Sequence, residues 1–372
     1  MAIQMKQKII DLIFLSLCNT LFDENINDKP FASLSEAEWT ELYRLSHQQG
    51  ILAIVYDAVR QLPAKSQPPR CIKLQWALGA EAIENRFQMQ HKASALLADL
   101  WTEGGFKTIV MKGLAIGTYY PNPAHRECGD LDCFLTTGAM PISSDGYERG
   151  NQLCEQKGAK VERNYYKNSH IKYRGLMVEN HRFFLPIRGR RSVKELERHL
   201  RHVALRGKID YVPNTKLIIP SADFNALFLT MHALNHFLSE GIKLRHILDW
   251  ALLLKAEQNN INWEEFYEWA DKMHLTRFAD AMTAICVEHF GLQVTNPAIH
   301  TKSSYAERIL CDTIENSEGL FNKGYSAWKS RFMQIRNRLS FAWKYHKIYQ
   351  KSLLVELTRS IFAFIFERHP KL

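Results

Sequence analysis

Residues 106–135, FKTIVMKGLAIGTYYPNPAHRECGDLDCFL, decide how the rest of the chain is read. Thr108, Ile109, Val110 and Met111 form a short β-branched and apolar run that stops at Lys112-Gly113. Residues 114–120 have the composition of a short helix, which Pro121 and Pro123 then break. After a polar, irregular segment the chain returns as Asp130-Leu131-Asp132-Cys133-Phe134-Leu135. Period-2 alternation places both carboxylates on one face of a strand and Leu131 and Cys133 on the other. Two acids one strand repeat apart make a short claw for a hard cation, which takes oxygen ligands. A glycine at a strand-to-helix corner lets backbone amides approach a phosphate.

Paired acids at the same spacing also stand at Glu36/Glu38 and Glu195/Glu197, where the surrounding pattern is a solvated helix face. The order of features sets the central stretch apart: strand, Lys112-Gly113, helix, proline-rich loop with Arg126, then Asp130-Leu131-Asp132 on a second strand. The flanking sequence is helical. Ser35-Glu36-Ala37-Glu38 fits a capping box ahead of Trp39, Leu42, Tyr43 and Leu45. A second helix is expected over 51–62, and a long one over 72–100 with Leu74, Leu78, Ala82, Ile83 and Phe87 at helical spacing. Downstream, a helix over 147–157 closes at Gly158, and short strands over 160–166, 170–174 and 176–181 follow with a hairpin at Gly175.

Length and composition allow two or three structural units with a sizeable core. Seven dispersed cysteines without a Cys-x-x-Cys pair read as reduced thiols of a cytoplasmic protein. The apolar run near Ile9 contains Asp11 and no small-residue cleavage site, as expected of a first amphipathic helix and not of a signal peptide. No transmembrane span is expected. The formal charge is +9, yet residues 323–351 alone carry eight Lys/Arg and no Asp or Glu. That basic stretch, interleaved with aromatics, suits an anionic membrane surface or a polyanion.

The ordered set Lys112, Gly113, Tyr120-Pro121, Arg126 and Asp130-Leu131-Asp132 resembles the nucleotidyltransferase superfamily built on the DNA polymerase β-type palm. It is most similar to the bacterial branch of uncharacterised nucleotidyltransferases. Where the wider superfamily has Gly-Gly or Gly-Ser, this chain has Lys112-Gly113, so no hydroxyl is available there for a phosphate. The resemblance implies an α+β fold, with a polymerase β-like palm (a small mixed sheet with helices) flanked by N-terminal and C-terminal helical regions. The corresponding division is a helical module over 1–98, the palm over 99–215, a helical domain covering the cleft over 216–320, and a basic, aromatic-rich helical extension over 321–372.

In the palm a third carboxylate comes from a neighbouring strand. Val178-Glu179-Asn180-His181 matches the family's apolar-Glu-x-His, with Asn180 a departure from its usual apolar residue. Glu179 is preferred over the rival Glu162. The resemblance then implies a transferase that moves an NMP group from an NTP to a hydroxyl-bearing acceptor (sugar, small molecule or protein) with release of pyrophosphate. Asp130, Asp132 and Glu179 would be the catalytic and metal-binding set for Mg2+ (or Mn2+). Lys112, Gly113, Arg126, His232 and Arg245 would contact nucleotide and phosphate, Lys112 and Arg126 alternatively fixing the loop by pairing with Asp130 or Glu127. Clustered acids repel, so replacing Asp130 or Asp132 by Asn is expected to leave stability equal or higher. Two other readings stand beside this one: a nucleotide-binding protein of the same fold without catalysis, and a helical adaptor at a membrane surface.

Overall fold

The chain is described from a computed structural model covering residues 2–22, 25–163, 165–315, 341–366 and 372. It begins with four helices: α1 (Ala2–Phe22), α2 (Glu36–Gln48), α3 (Leu52–Val59) and α4 (Arg70–Glu103). The capping box expected at Ser35 is formed, with the Ser35 hydroxyl accepting from the Glu38 amide and the Glu38 carboxylate accepting from the Ser35 amide. Helix α4, about 50 Å long at 1.5 Å per residue, ties these helices to the sheet. Its first half buries Ile72, Trp76, Ala80 and Ile83, and its second half buries Ala93, Leu97 and Trp101. The stripe expected to face inward is only partly right, because Leu74 and Leu78 are 59% and 56% exposed. Trp76 decides the matter: its indole N–H donates to the Leu52 carbonyl at 3.0 Å, and a large aromatic outweighs two leucines in choosing the buried face.

The sheet comprises β1 (Lys107–Val110), β2 (Leu131–Thr136), β3 (Lys160–Glu162), β4 (Asn168–Tyr173), β5 (Leu176–His181), β6 (Asp210–Tyr211) and β7 (Leu217–Ile219). Their order is β3-β4-β5-β2-β1-β7-β6. Pairing is antiparallel except for β2 with β5 and β1 with β7. Between the strands lie α5 (Gly113–Gly117), α6 (Tyr147–Gln156) and α7 (Arg191–Val203). Alternation splits the side chains between two apolar clusters. Ile109, Met111 and Phe134 join the larger one, while Val110, Cys133 and Leu135 join the smaller one with Leu97 and Trp101 of α4.

Asn180 has a structural explanation. Its amide donates to the Tyr147 carbonyl at 3.0 Å and to Asn151 Oδ1 at 2.9 Å, and Ser169 donates to the same oxygen at 2.8 Å. This buried polar network fixes α6 against β4 and β5.

Helices α8 (Ala222–Ser239), α9 (Leu244–Glu257), α10 (Trp263–Lys272), α11 (Thr276–Phe290) and α12 (Ala306–Glu315) follow. Their apolar residues share the larger cluster with α1–α3 and one sheet face. The chain closes with α13 (Leu353–Phe366). Residues 323–340 of the basic stretch lie outside the described residues. In the described remainder, Lys344 is buried, donates to Asp312 at 2.6 Å and to the Phe237 carbonyl at 3.1 Å, and sits over the Phe237 and Phe341 rings. Among the described residues no helix is long and apolar enough to cross a membrane.

Candidate active site

The site starts from register. Asp132 on β2 and Glu179 on β5 are paired positions of two adjacent parallel strands, so both side chains leave the same face. His181, two residues beyond Glu179, leaves that face too. Its Nε2 lies 3.1 Å from Asp132 Oδ1 and 3.3 Å from Glu179 Oε2. Ligand atoms of the three residues all fall within 4.8 Å of one another. The opposite ring nitrogen, Nδ1, faces the Phe183 carbonyl at 3.2 Å. A carbonyl only accepts, so Nδ1 is the donor there and Nε2 is directed at the two carboxylates.

Lys112 supplies charge from the other side, its Nζ standing 2.9 Å from Asp132 Oδ2. This is an ion pair away from hydrogen-bond alignment, since Oδ2 is buried with no hydrogen-bonded donor. The Asp132 carboxylate, a second carboxylate and an imidazole form a donor set that fits a divalent cation. Burial pushes the Asp132 carboxyl up, but the Lys112 ammonium and His181 outweigh it and hold it well below the usual carboxylate range. Glu179 is also lowered, chiefly by its hydrogen bond to His181. Lys112 loses to burial and gains more from Asp132, Asp130 and Glu179, so its ammonium form is favoured.

Asp130 behaves differently. It precedes β2, half-exposed in the loop, and is not among the three converging ligands. Burial and the neighbouring Asp132 raise its pKa. Asp130 thus stands one residue before the strand that carries Asp132, on the wall of the same cleft.

A cleft of about 340 Å³ opens beside Asp132, with Lys112, Gly113, Asp130, His232 and Arg245 among its walls. Lys112 takes φ 50°, ψ −147° and Gly113 φ 47°. The first is a backbone region that glycine occupies readily and other residues only under strain. A Cβ on Gly113 would meet Cys128 Sγ at 3.1 Å. Helix α5 is only five residues long, so what Gly113 offers is room for close approach and not a long helix dipole.

Arg126 reaches the cleft but is spent on structure. Its Nε and Nη2 donate to Asp249 at 3.1 and 2.7 Å, and Nη1 donates to the Glu127 carbonyl at 3.3 Å. Tyr120 donates to the same Asp249 at 2.8 Å. Neither Asp130 nor the Glu127 side chain is its partner, because Asp249 on α9 presents a two-pronged acceptor. Arg245 donates through Nη1 to the Glu127 carbonyl at 2.7 Å, leaving its buried Nε without a hydrogen-bond partner among the described residues. His232 lines the cleft 3.1 Å from His236, and burial with the nearby Lys112 charge holds its pKa well below the ordinary histidine value.

A family model described as uncharacterised nucleotidyltransferase matches residues 35–291. The chain belongs to that family. No curated protein and no solved structure matches it. The family match to this nucleotidyltransferase runs from the cap of α2 to the end of α11 and contains the whole cleft, while α1, α12 and α13 lie outside it. Nucleotidyltransferases generally use divalent cations, and Asp132, Glu179 and His181 form a group able to hold one. Sequence reasoning missed His181 as a site residue, although its position two residues after Glu179 on one strand was a usable signal.

Proposed function

We propose that the protein transfers a nucleoside monophosphate from an NTP to a hydroxyl acceptor on a polymerase β-like palm formed by β1, β2 and β5. The observation that carries this reading is the register of Asp132 with Glu179, which brings two carboxylates and His181 together at the edge of a cleft lined by charged side chains of both signs. Asp132 and Glu179 would hold Mg2+ or Mn2+, with Asp130 beside them. The imidazole of His181 suits Mn2+ better than Mg2+ if it ligates. A bound divalent cation neutralises triphosphate charge and lowers the pKa of an acceptor hydroxyl.

The chain's own residues have separable roles. Lys112 balances Asp132 in the absence of other cations and is free to turn to phosphate oxygens when one arrives. Gly113 lets backbone come close to the triphosphate. Arg245, on the wall of the cleft, adds positive charge for a phosphate. Arg126 positions the loop through Asp249. His232, kept neutral, borders the nucleotide without adding charge. Catalysis is then mostly positioning and charge stabilisation, as phosphoryl chemistry requires.

A nucleotide-binding protein without catalysis is the second reading, favoured by the place of Asp130 outside the converging group. Glu179 separates the two. With a panel of NTPs and Mn2+, Glu179→Gln should keep nucleotide affinity within a few fold yet lose pyrophosphate release or self-labelling by roughly two orders of magnitude, an effect on kcat. Glu162→Gln should be nearly silent, since Glu162 stands two strands further out and pairs with Lys160. Absence of any Mn2+-dependent triphosphate binding by the wild-type protein would overturn both readings.

A further inference from the structure

The face that carries Asp132 and Glu179 does not end at them. Across the ladder, Glu162 of β3 opposes His170 of β4, His170 opposes Glu179, and Glu179 opposes Asp132. One strand repeat away a second row runs Lys160, Lys172, Met177. These two rows floor a groove of about 330 Å³, lined by Lys160, Glu162, His170, Lys172, Met177 and Glu179. Asp132 lines the nucleotide cleft and Glu179 lines this groove, so the carboxylate pair divides two recesses. Transfer to phosphorus proceeds in line, with attacking and leaving oxygens on opposite sides. A nucleotide in the cleft leaves the groove as the approach for the attacking group.

The groove's charge narrows what that group is. Lys160 and Lys172 are directly opposed on neighbouring strands, an arrangement that costs stability when both are charged. Glu162 offsets Lys160 at 2.5 Å. Among the described residues Lys172 has no ion-pair partner. The two rows are about 7 Å apart, two residues at the strand rise.

Resting on the function proposed above, we infer that this groove binds the acceptor, and that the acceptor is a phosphorylated polyol of the sugar-phosphate class. Its reacting hydroxyl lies at Glu179 and its phosphate lies at Lys172 and Lys160. In the reaction the hydroxyl oxygen forms a new bond to the α-phosphorus, and the α–β bridging P–O bond breaks. Pyrophosphate leaves with the bonding electrons, and the hydroxyl proton passes to water on the open side of the groove.

Lysine acylation followed by mass spectrometry tests this without requiring turnover. The full-length protein with Mn2+ is labelled in the presence of ribose 5-phosphate, glucose 6-phosphate or glycerol 3-phosphate. Parallel samples hold the corresponding unphosphorylated polyols and inorganic phosphate, and Lys208 serves as the reference. The expected result is several-fold slower labelling of Lys172 and Lys160 by at least one phosphorylated polyol, little change with the free polyols, and loss of Lys160 protection in Lys172→Glu and in the milder Lys172→Gln. Protection by no phosphorylated polyol overturns the inference and leaves the lysines as guards of an exposed sheet edge. Equal protection by inorganic phosphate or by the free polyol also overturns it, marking a bare anion site or a neutral one. Mn2+-dependent NTP binding, measured on the same wild-type preparation, tells the two failures apart. If NTP binds and Lys172 is not protected, only the acceptor assignment falls; if NTP does not bind, the nucleotidyltransferase reading falls first.

Discussion

Lys112 and Asp132 form an ion pair at the back of the cleft, 2.9 Å apart, with the carboxylate buried and the lysine one-fifth exposed. The ammonium supplies Asp132 with the positive charge that a bound divalent cation would also supply. In a metal-free protein, Lys112→Met leaves a buried carboxylate without its main counter-charge, and unfolding by urea should show a loss of roughly 2–4 kcal/mol. Saturating Mn2+ should restore much of that loss, because binding to the folded state alone stabilises it. A stability deficit equal with and without Mn2+ would show that no cation replaces the lysine.

The two acids of Asp-x-Asp should respond to neutralisation with opposite signs. The folded-state pKa of Asp132 is depressed, so its stabilising contribution is present above the unfolded carboxylate value and is lost as pH falls through the folded one. Asp132→Asn should therefore destabilise the metal-free protein at pH 7. This revises the expectation drawn from like-charge repulsion, which omitted Lys112 and His181. Asp130 has a raised pKa, and Asp130→Asn should leave stability equal or higher. Denaturant titrations of the two variants, in chelator, give the comparison.

His125 joins the proline-rich loop to the N-terminal helices. Its Nδ1 meets Asp57 of α3 at 2.5 Å and its Nε2 meets Glu84 of α4 at 2.6 Å, with Arg60 3.1 Å from Asp57. Burial acts to lower its pKa, but the two carboxylates prevail and raise it above the ordinary value. A raised histidine pKa gives stability that is complete below the unfolded value of about 6.5 and disappears as pH rises through the folded value. Stability of the wild type should fall over that interval, and His125→Gln should flatten the fall. Melting temperatures across pH 6–9 would show it; parallel curves for the two proteins would refute the clamp.

Helix α13 leaves two apolar residues uncovered. Leu353 and Glu356 are buried, Glu356 paired with Arg190, while Leu354 and Val355 are 70% and 51% exposed. The exposed pair stands next in sequence to the basic stretch 323–351. Binding to vesicles containing phosphatidylserine, weakened by salt and lost in Leu354→Asp/Val355→Asp, is the expected result. Failure to bind at low salt, or binding untouched by the double variant, would argue for a protein partner or for charge alone.

What could be read in advance was local. The capping box at Ser35, the strands around Lys112 and Glu179 and the hairpin at Gly175 are all written in neighbouring residues, and they formed. The structure places Glu179, and not Glu162, opposite Asp132, since β5 lies directly beside β2. Alternation says which face a residue shares but not where a strand starts, and Asp130 lies one residue before β2 while lining the same cleft as Asp132. The inward face of α4 depended on Trp76 finding the Leu52 carbonyl, and the partner of Arg126 lay on a helix that no spacing rule connects to residue 126. His181 was visible in the pattern, yet its role needed the distance to Asp132, which only the paired strands supply.

Asp249 carries one more consequence. It accepts from Arg126 and Tyr120, residues more than a hundred positions earlier, and all three are buried. A chain shortened to end at residue 215 would keep every strand except β7 and all three converging ligands, but its Arg126 guanidinium and Tyr120 phenol would lose their shared acceptor. The chemistry-bearing sheet is therefore not a portable cassette. Ribosomal synthesis has to deliver α9 before the loop leading into β2 can settle, so the site matures only after about two-thirds of the chain exists.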